Sequence, residues 1–407
     1  MNIFLINHYA GTPSMGMEFR PYYMAKEWKK LGHNVTILAA SYSHLRRNNP
    51  IVKKDLEEET IDGIRYLWIK TPDYEGNGIS RIFNILSFIR QARKHTRFFV
   101  KKYTPDVVIA SSTYPSDNYI AHKISKISKA KHIYEVHDLW PLSPMEIGNM
   151  SKYHPFIMAM QHGENFAYKH SDYIVSMLPN TKEHMQKHGL DLKKWNYIPN
   201  GIVPQDWDTP EAIPEQLQNK ILEIKANNGF IIGYSGGHAK SNSLNTLIDA
   251  ARILKNEKDI FFISVGSGNE KSELVRSAYD LNNFLFFDPI SKYSIPEFLS
   301  QIDIAIAGTK KSKLYEYGVS LNKLMDYMMA KRPIIQHIDT KYDLIEISGS
   351  GISVEPENPI AIADAIIQLK NTPKEVLDQM GENGYNFVLE NHDYRILSKK
   401  FLDILNM

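Results

Sequence analysis

The chain has 407 residues, of which 43% are hydrophobic and 23% are charged, so it is long enough for about two globular domains. Because it contains no cysteine, disulfide bonds, cysteine zinc sites and cysteine nucleophiles are excluded. The net charge is +2, but residues 1–203 carry 27 basic and 18 acidic side chains, which suggests different partners for the two halves. Since no apolar run reaches the roughly 20 residues that span a bilayer, and no signal-peptide pattern opens the chain, we expect a cytoplasmic protein.

Short β-rich segments alternate with helical patterns in the first half. The predicted strands are Ile3–Ile6, Val35–Ala39, Val107–Ala110, His132–Val136 and Tyr173–Met177. Helices are predicted between them, including Arg20–Leu31 and Asn118–Ser128. This alternation is typical of a parallel, doubly wound sheet.

The loop after the first strand contains Gly11 and Gly16, which permit a close backbone approach to a ligand. Their spacing resembles a P-loop, but Met17 and Glu18 stand where Lys and Ser or Thr are required, so we reject that interpretation. Arg20, one turn later, can meet either a phosphate or a carboxylate.

Residues 81–103 form a basic segment, with no acid between Glu75 and Asp106. A basic amphipathic helix with aromatic residues can lie on an anionic membrane, and the alternative is a helix packed on the sheet with a basic outer face. We favour membrane contact, through Arg81, Arg90, Arg93, Lys94 and Arg97. No nucleic-acid-binding module accompanies this segment, so nucleic acid is not an expected partner.

His137 follows the predicted strand His132–Val136. Because ligands of doubly wound sheets lie at the carboxyl ends of the strands, this imidazole is a candidate site residue. The neighbouring Asp138 is a candidate to orient it.

The β-α pattern repeats after a proline-rich segment, Pro199–Pro214, which we interpret as a linker. The later predicted strands are Ile231–Tyr234, Phe261–Val265, Phe284–Phe287, Ile304–Ala307 and Ile334–His337. The predicted fold class is α/β, with two doubly wound Rossmann-like domains, 1–200 and 201–385, that face a cleft. A last helix at about Asp393–Leu405 lies in a C-terminal segment, 386–407.

Gly236 and Gly237 follow the first strand of the second half, and Gly266 follows the next. Backbone N–H groups of Gly236 and Gly237, helped by His238 or Lys240, can bind an anion. For Lys240, an ordinary solvated lysine is an equally open interpretation.

Residues Gly318–Pro333 predict a helix whose first turn holds Asn322, Lys323 and Leu324. A helix N-terminus favours phosphate, and a lysine there is unfavourable unless an anion is bound. Asp326, one turn further, can accept hydrogen bonds from sugar hydroxyls. The pattern indicates a nucleotide-diphosphate site.

The same stretch resembles the signature of glycosyltransferase family 4, an acid, seven residues and a second acid before Met-Ala-x-Gly-x-Pro. Asp326 matches the second acid, while Gly318 stands where the first Glu is usual. That departure resembles a subgroup with Gly-Val-Ser-Pro-Asn-Lys-Leu, whose members often build surface polysaccharides. Leu321 replaces the subgroup's proline.

This resemblance implies a GT-B fold, in which domain 1–200 binds the acceptor, domain 201–385 binds the nucleotide sugar, and the helix in 386–407 crosses back to the first domain. It also implies roles for several residues. The family's His contacts the donor sugar, a role carried to His137, and its second acid holds the donor ribose, a role carried to Asp326. Lys323 joins His137 as a catalytic candidate, and the first loop, with His8 and Tyr9, lies near the acceptor. The implied donor-binding residues are Gly16, Gly236, Gly237, His238, Lys240, Gly266, Pro289, Ile290, Asn322, Lys323, Leu324 and Asp326.

The implied activity is retaining, metal-independent transfer of a hexosyl or N-acetylaminosugar group, with UDP-sugar as the preferred donor. The expected acceptor is a lipid-diphosphate-linked saccharide of O-antigen or capsule synthesis, at the inner face of the cytoplasmic membrane. No cofactor and no metal site is predicted, and Asp206-Trp207-Asp208 is interpreted as a decoy of the Asp-x-Asp metal motif. Two alternatives stay open: a nucleotide-sugar 2-epimerase of the same architecture, and an inactive nucleotide-sugar-binding subunit.

Overall fold

The computed structural model describes residues 1–16, 19–76 and 78–406. Met17 and Glu18, on which the rejection of a P-loop depends, lie outside the described residues, as does Met407 at the end of the predicted C-terminal segment. The chain divides into two compact units. The first unit comprises Met1–Asn200 and Tyr394–Met407, and the second comprises Gly201–Asp393.

The first unit is built on an eight-stranded sheet with helices between its strands. Its strands are β1 (Asn2–Ile6), β2 (Asn34–Ala40), β3 (Glu57–Ile61), β4 (Ile64–Ile69), β5 (Val107–Ala110), β6 (Lys131–Val136), β7 (Tyr173–Ser176) and β8 (Trp195–Tyr197). Its helices before residue 200 are α1 (Arg20–Lys30), α2 (Ile79–Lys94), α3 (Thr96–Tyr103), α4 (Asn118–Ser128), α5 (Leu142–Glu146), α6 (Pro155–His170) and α7 (Lys182–Lys187).

The strand order is β3-β4-β2-β1-β5-β6-β7-β8. The chain first winds outward from β1 towards β4 and then restarts at β5 on the other side of β1, so a topological switch point lies between β1 and β5. Ligands of doubly wound sheets bind at the carboxyl edge of such a switch point. We therefore expect the ligand contacts of this unit to come from residues that follow β1, β5 and β6.

The predicted all-parallel sheet needs one correction, because β3 and β4 form an antiparallel hairpin. Its two-residue turn is Asp62-Gly63, and both residues have positive φ angles, +48° and +76°. Such a turn matches the twist of a hairpin, and Asp-Gly is its usual sequence. The strand β3 escaped sequence prediction because its Glu-Glu-Glu-Thr-Ile sequence is charged, as suits an edge strand that must not pair further.

The second unit is built on a six-stranded sheet of order β11-β10-β9-β12-β13-β14, in which the paired strands run parallel. Its strands are β9 (Phe230–Ser235), β10 (Ile260–Val265), β11 (Phe284–Phe287), β12 (Ile304–Gly308), β13 (Ile334–His337) and β14 (Gly351–Ser353). Its helices are α8 (Glu215–Ala226), α9 (Leu244–Ile253), α10 (Lys271–Ser277), α11 (Ile295–Ser300), α12 (Asn322–Met329), α13 (Leu344–Ser348), α14 (Pro359–Lys370) and α15 (Lys374–His392). The order places a switch point between β9 and β12, with α12 in the connection from β12 to β13.

The last helix, α16 (Tyr394–Asp403), belongs to the first unit, where it packs on α1. Tyr394 stacks on Tyr23 with ring centroids 5.3 Å apart, and Phe401 meets the edge of Trp28 at 5.1 Å. Trp28 donates its indole N–H to the carbonyl of Ser398 at 3.2 Å. These contacts bury the aromatic face of α1 under the end of the chain.

Candidate active site

His137 lies at the end of β6 and takes part in a buried hydrogen-bonded network of the first unit. Its Nε2 atom is 2.9 Å from the hydroxyl of Ser111 and 3.3 Å from a carboxylate oxygen of Glu135. Ser111 follows β5 and donates to the same Glu135 oxygen at 2.6 Å. The carboxyl edge of the switch point thus holds an imidazole whose orientation is fixed by a hydroxyl and a carboxylate.

Glu135, which sequence analysis did not single out, is the carboxylate that contacts His137. Glu135 lies in β6 and His137 follows directly after that strand, two positions further on, whereas Asp138 is exposed to solvent. Burial alone would raise the pKa of Glu135, but Arg20 and the hydrogen bonds from His137 and Ser111 hold it well below its usual range. The carboxylate is therefore ionised.

The open alternative for Arg20 is resolved in favour of a carboxylate partner. Its guanidinium donates to Glu135 at 3.0 Å and to the carbonyls of Ile198 and Pro199. The side chain is buried, so it is held inside the first unit as the counter-ion of Glu135.

The loop residues His8 and Tyr9 are fully buried in the first unit. The His8 imidazole hydrogen bonds the hydroxyl of Tyr114 at 2.7 Å, and burial, together with the charge of Arg46, lowers its pKa well below the usual value. Arg81 lies over the ring of Tyr9 and donates to its hydroxyl at 3.1 Å. His8, Tyr9 and Arg81 therefore contact one another's surroundings inside the first unit, and the two loop side chains are not exposed for an acceptor. Gly16 forms an isolated β-bridge with Arg46.

The other basic candidates lie on exposed faces. The basic segment is two helices, α2 and α3, that meet at His95. Arg90, Arg93, Lys94 and Arg97 are exposed, and so are the apolar side chains of Ile79 (72%), Phe83 (62%) and Leu86 (56%). Phe83, Leu86, Arg90 and Lys94 line an open groove of about 500 Å³ on α2.

In the second unit, Lys323 lies in the first turn of α12, beside the loop that follows β9. Its ammonium donates to the hydroxyl of Tyr234 at 2.8 Å and to the side-chain oxygen of Asn242 at 3.0 Å, and it lies 4.4 Å from the centre of the Tyr234 ring. Both hydrogen-bond partners are neutral, and burial lowers the pKa of Lys323 to about 7. Among the residues that the structure describes, no carboxylate pairs with this ammonium, so a bound phosphate would supply its counter-charge.

Gly236 makes the close approach between this loop and Lys323 possible. Its φ angle is +149°, and a Cβ atom there would lie 3.1 Å from the Nζ and Cε atoms of Lys323. Gly266 is constrained in the same way, because its Cβ would lie 1.9 Å from the carbonyl oxygen of Gly236. The loops after β9 and β10 therefore touch backbone to backbone, while Gly237 is exposed.

His238 and Lys240 are placed differently from each other. The His238 imidazole is fully buried, hydrogen bonds Ser264 at 2.8 Å and has a pKa lowered to about 4 by burial. It is a neutral group within the loop, so an anion at this loop would meet the backbone and not this ring. Lys240 is exposed at the surface.

Pro289 and Ile290 follow β11 beside a lysine that sequence analysis missed. Lys271, at the start of α10, donates to the carbonyls of Gly266 at 3.0 Å and Phe287 at 2.9 Å, and pairs with Asp288 at 2.7 Å. It joins the loops that follow β10 and β11. Pro289 is exposed next to this junction, and Ile290 packs partly on the core.

Asp326 lies in a small cavity of about 10 Å³, room for about one water molecule, lined also by Asp206, Trp207 and Lys292. Burial raises the pKa of Asp326 to about 7, opposed by the charge of Lys292 and aided by that of Asp206. Asp206 pairs with Lys292 at 3.4 Å. The segment dismissed as a decoy thus contributes Asp206 to the surroundings of the candidate ribose-binding carboxylate. Tyr327, the next residue of α12, fixes the helix by accepting the backbone N–H of Ser235 at 3.0 Å.

The sequence also contains a metal-ligand spacing that was overlooked when no metal site was predicted. His184-Met-Gln-Lys-His188 is a His-x3-His pattern, and Glu164 lies beside both imidazoles. The spacing alone identifies the two histidines. It cannot identify Glu164, because that residue lies in another helix, α6.

Comparison with known families decides the class of the protein. The family model described as Glycosyltransferase Family 4 matches residues 15–206, and the one described as Glycosyl transferases group 1 matches residues 229–372. The chain is a family 4-like glycosyltransferase of the GT-B fold. No curated protein sequence matches the transferase significantly.

Solved structures agree with the fold of this transferase. HepE from Anabaena, in complex with UDP and glucose, is 14% identical with a TM-score of 0.70, covering 100% of this chain and 99% of its own. Sucrose-phosphate synthase from Thermosynechococcus elongatus is 13% identical with a TM-score of 0.75, covering 100% and 98%. WaaG, a glycosyltransferase involved in lipopolysaccharide biosynthesis, is 14% identical with a TM-score of 0.68, covering 99% and 98%. The predicted GT-B class, with two parallel-sheet α/β domains, is confirmed.

Proposed function

We propose that the protein transfers a sugar from a UDP-sugar to a lipid-diphosphate-linked saccharide, in the synthesis of a surface polysaccharide such as O-antigen or capsule. The observation that carries the donor assignment is Lys323, held in the first turn of α12 against the glycine loop with neutral hydrogen-bond partners. An incoming diphosphate would supply the missing negative charge. HepE, of the same fold, was solved with UDP and with UDP-glucose, which supports UDP as the nucleotide.

In this proposal each part of the site has one task. The N-terminus of α12, Lys323 and the backbone at Gly236 and Gly237 bind the diphosphate and stabilise its charge as it leaves. Asp326 accepts a hydroxyl of the ribose, and the backbone near Gly266, Pro289 and Ile290 forms the wall against the base. Asn322 and Leu324 belong to the same helix start, where Asn322 is exposed and Leu324 is buried.

The first unit, 1–200 with the last helix, binds the acceptor in this proposal. His137, held by Glu135 and Ser111, contacts the donor sugar near the reacting carbon. The acceptor hydroxyl attacks on the face from which the diphosphate leaves, with retention, and the departing phosphate takes the proton of the acceptor. Phosphate charge is neutralised by Lys323 and the helix dipole, so the proposed transfer requires no metal.

The exposed face of α2 supports a location at the inner surface of the cytoplasmic membrane. Apolar Phe83 and Leu86 lie beside basic Arg90 and Lys94, a combination that binds anionic bilayers. Among residues 1–16, 19–76 and 78–406, no helix is long and apolar enough to cross a bilayer. WaaG acts in lipopolysaccharide biosynthesis, which supports a lipid-linked acceptor.

Thermal unfolding with UDP-, GDP-, ADP- and TDP-sugars tests the donor assignment. Binding to the folded state raises the unfolding temperature with the logarithm of ligand concentration over Kd. We expect a rise with the UDP series, and a smaller rise in Asp326→Ala. The exposed Asp249→Ala, on α9 of the same unit, is the matched control and should retain the full rise.

Turnover separates the proposal from its alternatives. His137→Ala should keep the UDP-sugar shift but lose transfer to a lipid-linked acceptor; an unchanged kcat would refute the role of His137. Isomerisation of the UDP-sugar without acceptor would instead show an epimerase. Binding of nucleotide sugar without turnover on any acceptor would show an inactive subunit, and no shift with any nucleotide sugar would contradict the donor site itself.

A further inference from the structure

A pair of histidines in the first unit, away from the residues assigned to transfer, presents imidazoles on one face of a short helix. His184 lies in α7, and His188 caps its C-terminus with its backbone N–H on the carbonyls of His184 and Met185. Residues four apart are neighbours on a helix surface, and the two ring centroids are 4.6 Å apart. The spacing therefore allows both rings to bind one ion.

The facing helix α6 supplies a carboxylate to the same place. Glu164 is only 1% exposed, and its Oε1 atom is 3.4 Å from Nε2 of His184. Tyr168 donates its hydroxyl to Oε1 at 2.8 Å and thereby fixes the orientation of the carboxylate. The candidate ligand atoms of Glu164, His184 and His188 all lie within 4.8 Å of one another.

The hydrogen bonding around Gln161 indicates that this cluster has more acceptors than protons. The Gln161 amide nitrogen is 2.6 Å from Oε2 of Glu164, 2.8 Å from the side-chain oxygen of Asn165 and 2.9 Å from Nδ1 of His188. An amide nitrogen carries two hydrogens, so in the tautomer with the His188 proton on Nε2 it cannot satisfy all three acceptor atoms at once. A cation at this position would satisfy the acceptors that the amide leaves over.

We propose that Glu164, His184 and His188 form a binding site for a divalent transition-metal ion of the Zn²⁺ type, which links α6 to α7. Two imidazoles with one carboxylate suit Zn²⁺, whereas Mg²⁺ and Ca²⁺ take oxygen ligands. Ligand atoms around tetrahedral zinc are roughly 3.4 Å apart, so closure requires side-chain shifts of about 1 Å. The half-buried ring of His188 and the surface amide of Gln161 have room to make them.

The proposed ion has a structural task that follows from the size of α7. This helix spans six residues and buries only Met185 among them, so apolar packing holds it weakly. A metal bridge to Glu164 would connect it to the longer, well-packed α6. The site goes beyond sugar transfer and does not depend on the proposed donor or acceptor.

Zinc titration of the full-length protein, stripped of metal by a chelator, tests the site. We expect one Zn²⁺ per chain, a visible Co²⁺ spectrum typical of tetrahedral coordination, and slower amide hydrogen exchange in α7 on binding. His188→Gln and Glu164→Gln should each weaken zinc binding by about 10-fold or more. Glu164→Gln retains an oxygen that can accept the Tyr168 hydroxyl, so this variant is expected to fold.

A second histidine pair provides the matched control. His170 lies with its ring 4.8 Å from that of His122, also at the surface of the first unit. His170→Gln should leave the affinity and the Co²⁺ spectrum unchanged, and Gln161→Ala should bind zinc at least as tightly as the unsubstituted protein. Equal zinc affinity in His188→Gln and His170→Gln, with all variants folded by circular dichroism, would overturn the proposal.

Discussion

Lys323 is the side chain that binds the diphosphate in the proposed donor site. Its ammonium is bound by a phenol hydroxyl and an amide oxygen, and burial lowers its pKa to about 7. A diphosphate favours the protonated form and so raises this pKa again. The folded protein without ligand is therefore near the midpoint of a titration that ligand binding completes.

We predict that UDP binding takes up a proton near and above pH 7. As the pH rises from 7 to 9, the free protein loses the Lys323 proton, so UDP affinity should fall by up to about 10-fold per pH unit. Calorimetry in buffers of different ionisation enthalpy measures the proton uptake. In Lys323→Met the uptake should vanish along with most of the affinity, whereas the exposed Lys240→Met should retain the uptake. A UDP affinity independent of pH over this range would contradict the assignment.

The same pKa shift has a consequence for stability whose sign is fixed. Because the folded-state pKa of Lys323 is below its unfolded value of 10.5, the unfolded chain binds more protons between about pH 7 and 10.5. The contribution of this lysine to the free energy of unfolding therefore increases with pH across that window. Lys323→Met should stabilise the unliganded protein by about 1–2 kcal/mol at pH 7 or below, after allowance for solvent screening.

The candidate site was predictable from the sequence only where function follows from a local pattern. Lys323 and Asp326 were singled out as candidates because a helix start and a one-turn spacing are visible in the sequence. Predicting the contact between Glu135 and His137 requires knowing which side chains of β6 and the loop after it point to the same face. Predicting that Asp206 lies beside Asp326 requires knowing how the chain folds back on itself. The latter is tertiary information that no local pattern contains.

At the scale of elements, the two helices of the basic segment divide its residues into inner and outer sets. Phe88 and Ala92 face the core, while Phe83, Leu86 and Arg90 remain outside. Sequence analysis treated residues 81–103 as one basic amphipathic helix. The exposed apolar side chains Phe83 and Leu86 can be told apart from the core residues only once the structure shows that Phe88 and Ala92 are the buried ones.

We predict that the outer face of α2 binds anionic vesicles. Phe83→Ser with Leu86→Ser should reduce binding to vesicles of phosphatidylcholine and phosphatidylglycerol by about 10-fold or more, since each large apolar side chain contributes roughly 1.5–3 kcal/mol when buried. Arg90→Glu with Lys94→Glu should weaken it as well, and added salt should mimic that effect. Co-sedimentation measures the bound fraction. Ile127→Ser, at an exposed position of α4, is the control and should bind like the unsubstituted protein; an equal loss in this control would contradict the prediction.

Several strands were predictable from the apolar residues of their own sequences, and others were not. Val107–Ala110, Phe284–Phe287 and Ile334–His337 were predicted with their observed bounds, because apolar runs on both faces are typical of covered parallel strands. The three-residue strands β8 and β14, the charged β3 and its hairpin partner β4 (Ile64–Ile69) were missed. The strands β3, β8 and β14 owe their conformation to the neighbour with which they pair, so their own sequences carry little signal, whereas β4 is mostly buried and was missed despite its apolar residues.

At the scale of the whole molecule, the first unit is discontinuous in sequence, because α16 completes it from the end of the chain. Tyr23 and Trp28 of α1 are buried at 3% and 1% exposure, and both contact α16. A chain that ended at residue 200 would leave this aromatic face uncovered. The first unit therefore reaches its full stability only when α16 is present.

We predict that Phe401→Ala destabilises the first unit by about 3–5 kcal/mol, the range for loss of a fully buried phenylalanine. Hydrogen exchange followed by mass spectrometry should show faster exchange in α1 and α16, while β9–β14 exchange as before. Phe83→Ala, which removes an equal side chain from an exposed position of the same unit, should change the free energy of unfolding by less than about 0.5 kcal/mol. Unaltered exchange of α1 in Phe401→Ala would contradict the prediction, because α16 would then not stabilise α1. Faster exchange confined to the first unit would show that α16 is part of the folding core of that unit.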